Sequence, residues 1–251
     1  MKKNQLSLYC LIALWLFSAC KDEDRYETSI IRDREIFLNG DRWTTSNPAT
    51  DRPVFIYDTD GKYKANYTSA YNFVLDNGTY RFFAAANSGV HIPDSIRGFN
   101  LDDLVIPQAP AANVDLVISP VLNYSSPFDE GIKLYMATQT GMLRLVAKDL
   151  TPDPGYSQVR AVVGVSRSAY RVGDASFVES SMELTRSKAT STGGVNYTDD
   201  FVVFETGGAQ QVSVRFELLD NNGQVVRTKQ LETKFEILPN EVTIAEFYLN
   251  E

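Results

Sequence analysis

Histidine and cysteine are scarce in this 251-residue chain, which has one histidine, His91, and two cysteines, Cys10 and Cys20. Metal sites that need several histidine or cysteine ligands are therefore excluded. A Ser-His-Asp triad would have to use His91. Because His91 lies close to Pro93 at the start of residues 91–113, which we predict to be a long connection, we interpret it as a surface histidine. We predict no metal, no cofactor and no enzymatic activity.

Basic charge is also in deficit, with 24 Lys and Arg against 32 Asp and Glu and a formal net charge of −8. An acidic protein is poorly suited to bind nucleic acid or to dock on anionic lipid through charge alone. We therefore predict no nucleic-acid partner.

Adjacent carboxylates occur twice, at Asp102-Asp103 and at Asp199-Asp200. Neighbouring residues of a strand point to opposite faces, so neither pair forms a catalytic dyad by itself. Carboxylates from distant segments could still converge as they do in a glycosidase, and the sequence leaves this open. Asp58-Thr59-Asp60-Gly61 resembles part of a calcium loop but lacks its distal Glu, so we interpret it as a hairpin turn.

Long apolar runs are absent except near the N-terminus, where Lys2 and Lys3 precede an apolar stretch from Leu6 to Phe17. This pattern predicts a signal peptide over residues 1–19. Small residues followed by Cys20 resemble the lipobox of bacterial lipoproteins, although Phe17 departs from the usual leucine. The resemblance implies a lipid on Cys20 and attachment to the outer membrane. The alternative is an ordinary signal peptide cut after Ala19.

Four charged residues follow the cysteine: Lys21, Asp22, Glu23 and Asp24. This run resembles the tag that exports some lipoproteins to the exterior face of the outer membrane. The alternative is a solvated charge run at a terminus. We interpret residues 20–33 as a lipidated charged tether.

Turn signals recur every ~8–15 residues and no sustained helical period is present, which indicates an all-β protein. We predict two β-sandwich domains, at residues 34–124 and 125–251, divided in a segment rich in proline, asparagine and serine. The alternation in 71–75 and the strand 80–87 predict a hairpin about Asp76-Asn77-Gly78, and 212–237 predicts another. Val242–Leu249 has apolar residues on both faces, so we expect a buried last strand.

Three segments carry a family resemblance. Residues 75–80 running into 83–87, the strand Met142–Lys148, and the arm Gln224–Ile237 with its Pro-Asn turn and last strand resemble the fimbrillin-like surface lipoproteins, which are pilins and their anchor subunits. The resemblance implies two Greek-key, transthyretin-like sandwiches. It also implies a structural role in a fimbrium, with subunits joined by donor-strand exchange.

In shaft subunits of that family an arginine-specific protease removes the N-terminal arm, whereas anchor subunits keep arm and lipid. The candidate processing site is Arg42, since a cut after Arg32 or Arg34 would remove only the charged tether. We expect an anchor or accessory subunit. The alternative is a surface glycan-binding lipoprotein of a nutrient-uptake system, with Trp43 and the tyrosines as a stacking platform rather than as core residues.

The lipid prediction has a direct test. Cys20→Ala should release the protein from membranes, because the resemblance implies that the lipid is attached through the Cys20 thiol. Fractionation of cells followed by immunoblotting measures the release. Cys10→Ala is the matched control and should leave the protein in the outer membrane. A Cys20→Ala protein that still sediments with that membrane would place the anchor elsewhere.

Overall fold

The computed structural model describes residues 28–31, 34–38, 41–42, 53–67, 73–86, 92, 98–108, 114–126, 132–148, 155–190, 197–208 and 211–248. The strands of the first half are β1 (Thr28–Ile31), β2 (Arg34–Leu38), β3 (Asp41–Arg42), β4 (Val54–Asp58), β5 (Tyr63–Tyr67), β6 (Phe73–Asp76), β7 (Gly78–Ala86), β8 (Val105–Pro107), β9 (Val117–Ile118), β10 (Leu122–Ser126) and β11 (Ile132–Thr138). Those of the second half are β12 (Thr140–Lys148), β13 (Gln158–Arg171), β14 (Ser176–Ala189), β15 (Tyr197–Phe204), β16 (Ser213–Leu219), β17 (Val225–Gln230) and β18 (Val242–Tyr248).

The all-β class is confirmed. The described helical structure is limited to 3-10 turns, of which Leu101–Asp103 has its Asp102 N–H capped by the Asn100 side chain at 3.0 Å. No helix among those residues is long and apolar enough to cross a membrane.

The first half contains a large sheet in the order β3-β2-β11-β9-β7-β4-β5, with β10 also paired to β7. Most pairs are antiparallel, but β2 runs parallel to β11. A separate two-stranded sheet is formed by β1 and β6.

The large sheet is buried on both faces at β4 and β7. Phe82 and Ala84 point into one core with Leu75 of β6, so the β1–β6 sheet lies over that face. Phe83 and Ala85 point into the other core. Continuous apolar runs are what a strand covered on both faces requires.

The second half is a two-layer sandwich. One sheet has the order β15-β12-β18, and the facing sheet has the order β14-β13-β16-β17. Alternate residues of β12, β13 and β16 fill the core between them, including Leu143, Val163 and Phe216. The alternation of β12 and the β16–β17 hairpin were predicted correctly. In the hairpin turn, Asp220 accepts the N–H groups of Asn222 and Gln224.

The two halves share one core, and one strand of the first half pairs with a strand of the second. Tyr170, Val172 and Phe204 of the second half pack in the same cluster as Phe55 and Phe83. Strand β8, in a stretch predicted to be a long connection, pairs with the end of β13. The halves are therefore joined by packing as well as by the chain.

The predicted boundary at residues 124/125 does not match the sheets. It falls inside β10, and the next strand, β11, still belongs to the first sheet through β2 and β9. The composition after Leu122 signalled a break because asparagine, serine and proline favour turns. The chain passes to the second sandwich only between β11 and β12.

Two further expectations were wrong. Strands β6 and β7 do not form a hairpin: β6 pairs with β1, whereas β7 pairs with β4, β9 and β10. Only Asn77 separates them, which is too short for a two-residue hairpin loop, so the chain turns a corner between sheets. The predicted tether, 20–33, also includes a strand, because Thr28–Ile31 is β1.

Gln108 connects the layers where β8 ends. Its side chain is buried, donates to the Val202 carbonyl at 2.8 Å and accepts the Phe204 N–H at 2.9 Å. Its own N–H donates to the Ser168 carbonyl at 2.7 Å. One residue thereby satisfies backbone groups of both β13 and β15.

Gln108→Ala should lower the free energy of unfolding by about 1–3 kcal/mol, because two buried backbone groups of β15 lose their partner. Urea denaturation monitored by circular dichroism measures the change. Gln139→Ala is the control, since the Gln139 side chain is half-buried and bonds only to the nearby Ala137 carbonyl. Equal losses for the two variants would contradict the proposed role of Gln108.

Candidate functional site

The first carboxylate pair lies in a 3-10 turn. Asp102 and Asp103 are therefore not on a strand, and both are exposed. Asp102 forms an ion pair with Arg81 at 2.8 Å. Asp102 therefore acts as the partner of an arginine from β7.

The second pair lies on β15 and is likewise bound by cations. Arg144 donates to both oxygens of Asp200, at 2.8 and 2.9 Å, and these bonds lower the pKa of Asp200 below its ordinary value. Asp199 accepts from Arg186 at 3.3 Å and from the Tyr197 hydroxyl at 3.1 Å. The two carboxylates therefore accept hydrogen bonds from different arginines.

Candidate metal ligands do not gather in the described ranges, where no group of three or more His, Cys, Asp or Glu could hold an ion. The turn at Asp58 is confirmed: Gly61, with φ +75°, donates its N–H to the Asp58 carbonyl. One Asp58 oxygen accepts the Lys62 N–H, and the other pairs with Lys64.

The aromatic residues mostly pack in the cores. Tyr57, Tyr124, Tyr170 and Tyr197 are buried, and burial is the largest cause of the raised pKa of Tyr170, about 12. The core interpretation is confirmed for these four. Trp43 and His91 lie outside the described residues, as do Cys20 and the charged run after it.

A small open cleft of about 330 Å³ lies on β13, β14 and β16. Its polar lining consists of Ser166, Ser181, Glu183, Gln211, Ser213 and Lys234. No aromatic ring is among the described residues that line it. The lining can offer hydrogen bonds to a polar ligand but no surface on which a sugar ring would stack.

The N-terminal arm contributes two strands to two different sheets. β1 pairs with β6 over Thr28–Ile31, and β2 pairs with β11 over Arg34–Leu38, so only two residues separate the two pairings. Arg42 ends β3, which pairs antiparallel with β2 at the border of the large sheet. A cut after Arg32 would therefore release β1 and not only a charged tether.

The free edge of β15 is closed by side chains. Lys188 donates to the Thr198 carbonyl, and Arg186 donates to the Asp200 carbonyl at 2.6 Å. Gln108 satisfies the next two alternate positions, the Val202 carbonyl and the Phe204 N–H. A further strand cannot pair there without displacing three side chains.

Sequence comparison finds no relatives, since no protein-family model matches the chain and no curated protein matches it. Solved structures do match. An adhesin candidate from Bacteroides ovatus has a TM-score of 0.54 and 11% identity, with 88% of this chain and 90% of that chain covered. An adhesin candidate from Bacteroides thetaiotaomicron has a TM-score of 0.51 and 13% identity, covering 90% and 94%.

A lower score is found for the fimbrial anchor protein Mfa2 of Porphyromonas gingivalis, with a TM-score of 0.45, 15% identity, and 79% and 82% covered. The two higher scores show that this chain shares the fold of adhesin-like β-sandwich proteins.

The Arg144–Asp200 pair predicts acid sensitivity. Because the folded-state pKa of Asp200 is lowered, its stabilisation is fully present above the ordinary pKa of about 4 and is lost as the pH falls through the folded-state value. Asp200→Asn should therefore destabilise at pH 7 and much less at pH 3. Urea denaturation at both values measures this, with exposed Asp103→Asn as the control. A destabilisation equal at both pH values would contradict the ion-pair explanation.

Proposed function

We propose that this protein is a non-enzymatic cell-surface lipoprotein of fimbrial type, whose strands complete or accept those of neighbouring subunits. It shares its fold with adhesin candidates over most of both chains. The sequence adds the lipobox at Cys20, the charged run after it and the resemblance to fimbrillin-like proteins.

The observation that carries the proposal is the arrangement of the N-terminal arm. β1 begins eight residues after Cys20 and supplies the only strand paired with β6 in the described structure. The segment nearest the proposed lipid therefore also completes the layer over one core. Exchange of β1 for a strand of another subunit would leave the β7 sheet intact, because β1 makes none of its pairs.

We propose an anchor or accessory subunit that keeps both lipid and arm. The arm is held by main-chain pairing of both β1 and β2, so its release would break two sets of hydrogen bonds. A shaft subunit would instead be cut in the arm, either between β1 and β2 or after Arg42.

Glycan binding remains the second candidate, and the polar cleft on β13, β14 and β16 is the observation in its favour. The burial of four tyrosines leaves fewer rings for a stacking platform. A glycan array that gives clear hits, abolished by Ser181→Trp in the cleft, would favour this candidate over the structural one.

The fimbrial proposal is tested with the protein as cells make it. Mass spectrometry of the protein recovered from sheared fimbriae and from outer membranes should find an acylated Cys20 and an intact arm. Its abundance in the fimbrial fraction should fall in cells that lack the other fimbrial subunits. A mature N-terminus at Asp33 or Trp43 would contradict the anchor assignment, and absence from fimbriae would contradict the fimbrial role.

A further inference from the structure

The last strand, β18, was expected to be buried and instead exposes one face. Ala245 and Phe247 point into the core, but Val242 is 54% exposed, Ile244 59% and Tyr248 42%. β18 is the outermost strand of its sheet and runs parallel to β12. Its single carboxylate, Glu246, is paired with Lys148.

Within the described part of the chain, this edge is less protected than the edges formed by β15 and β14. β15 is capped by side chains, and β14 carries exposed Glu179, Glu183 and Lys188. Residues Val242–Tyr248 include no proline, lysine or arginine, and the pairing of β18 with β12 has no bulge. A flat apolar edge strand is a template for pairing with another chain.

In the facing sheet, β16 packs against β18, with the Phe216 and Phe247 ring centroids 4.0 Å apart, and β17 lies beyond β16. We call the inner face of β17 the ledge. Strand β17 places Lys229 opposite Phe216 and Arg227 opposite Leu218, so both cations are on the face that points toward the other sheet. Phe216 and Leu218 are covered, whereas Arg227 is exposed and Val225 is 46% exposed.

The ledge lies directly beside the end of β18, because the Lys229 ammonium donates to the Tyr248 carbonyl at 2.8 Å. A strand added to the free edge of β18 would therefore rest over the inner face of β17.

We infer that the β18 edge and the β17 ledge accept an extended segment of another polypeptide, apolar on one face and acidic on the other. Its backbone would extend the sheet beyond β18. Its apolar side chains would lie beside Val242 and Ile244, and its carboxylates would face Arg227 and Lys229. This inference deepens the proposed function, since it names the chemistry of a strand that the subunit accepts.

The charge of the inward-facing side chains distinguishes an acidic segment of another protein from a second copy of this chain. In a symmetric pairing the inward residues of β18 would face the ledge, and these are Thr243, Ala245 and Phe247. None of them carries a negative charge to meet Arg227 and Lys229. An acidic inward face is complementary to the ledge, whereas β18 itself is not.

The test uses the purified full-length protein in detergent and two fluorescent peptides of nine residues, one alternating valine with glutamate and one alternating valine with lysine. Fluorescence anisotropy measures binding. The valine–glutamate peptide should bind at least about tenfold more tightly than the valine–lysine peptide, because only the first meets opposite charges. Arg227→Glu with Lys229→Glu should reverse this preference.

Two further variants test the contribution of the β18 edge and control for the change in total charge. Ile244→Lys puts a cation on the apolar outer face of β18. In a protein that keeps Arg227 and Lys229, it should weaken the binding of both peptides. Lys62→Glu with Arg171→Glu makes the same charge change at exposed positions away from the ledge and should leave binding unchanged. Circular dichroism of each variant checks that it is folded.

The inference is overturned if neither peptide binds, or if the charge reversal at Arg227 and Lys229 leaves the preference unaltered. It is also overturned if sedimentation shows a dimer that Ile244→Lys dissociates, because a second copy then covers the edge. Neither Arg227 nor Lys229 bears on acylation of Cys20 or recovery in fimbriae. The proposed function can therefore fail while this surface stands, and the reverse also holds.

Discussion

The burial of β7 on both faces is the constraint on which the rest of the structure depends. Alternate residues, Phe82 with Ala84 and Phe83 with Ala85, point into different cores. A sheet with two apolar faces is stable only if two other layers cover it. The β1–β6 sheet covers one face, while Tyr170 and Phe204 of the second half help to cover the other. The halves are thus not independent units joined by a linker, because residues of both form one of the cores.

This arrangement explains how a strand could be exchanged without unfolding the protein. β1 lies at the border of the covering layer, where it pairs with β6, and β7 keeps its own partners. Loss of β1 would cost the pairing of four residues but not the stacking of Phe55 on Phe83. The β7 sheet and β1 therefore belong to different layers, which is the separation that the proposed strand exchange would require.

Local patterns were predictable from the sequence, and distant pairings were not. The alternation in β12 and in β16–β17 has a period of two within one strand, so it is visible in a single segment. β6, β8 and β11 each pair with a strand that is distant in the chain. Nearby turn residues and prolines wrongly suggested a β6–β7 hairpin, a connection in place of β8 and a domain boundary before β11. β14 was missed because 14 residues rich in Ser, Glu, Lys and Arg form an edge strand without an apolar alternation. The cationic partners of Asp199 and Asp200 come from two other strands, β12 and β14, and no sequence pattern connects them.

The difference between the closed edge of β15 and the open edge of β18 connects the fold with the proposed function. Edge strands are costly to leave open, because each can pair with the wrong chain. Here β15 is closed by three side chains from other strands, which together satisfy four alternate backbone groups. Because its backbone groups are already hydrogen-bonded, the β15 edge is protected from pairing with another strand regardless of its own side chains. On β18, Lys229 donates to the Tyr248 carbonyl at the end of the strand, and the exposed Val242 and Ile244 favour pairing instead of opposing it. The cations of β17 beside it then restrict which strands can pair, so the same sandwich excludes partners at one border and selects them by charge at the other.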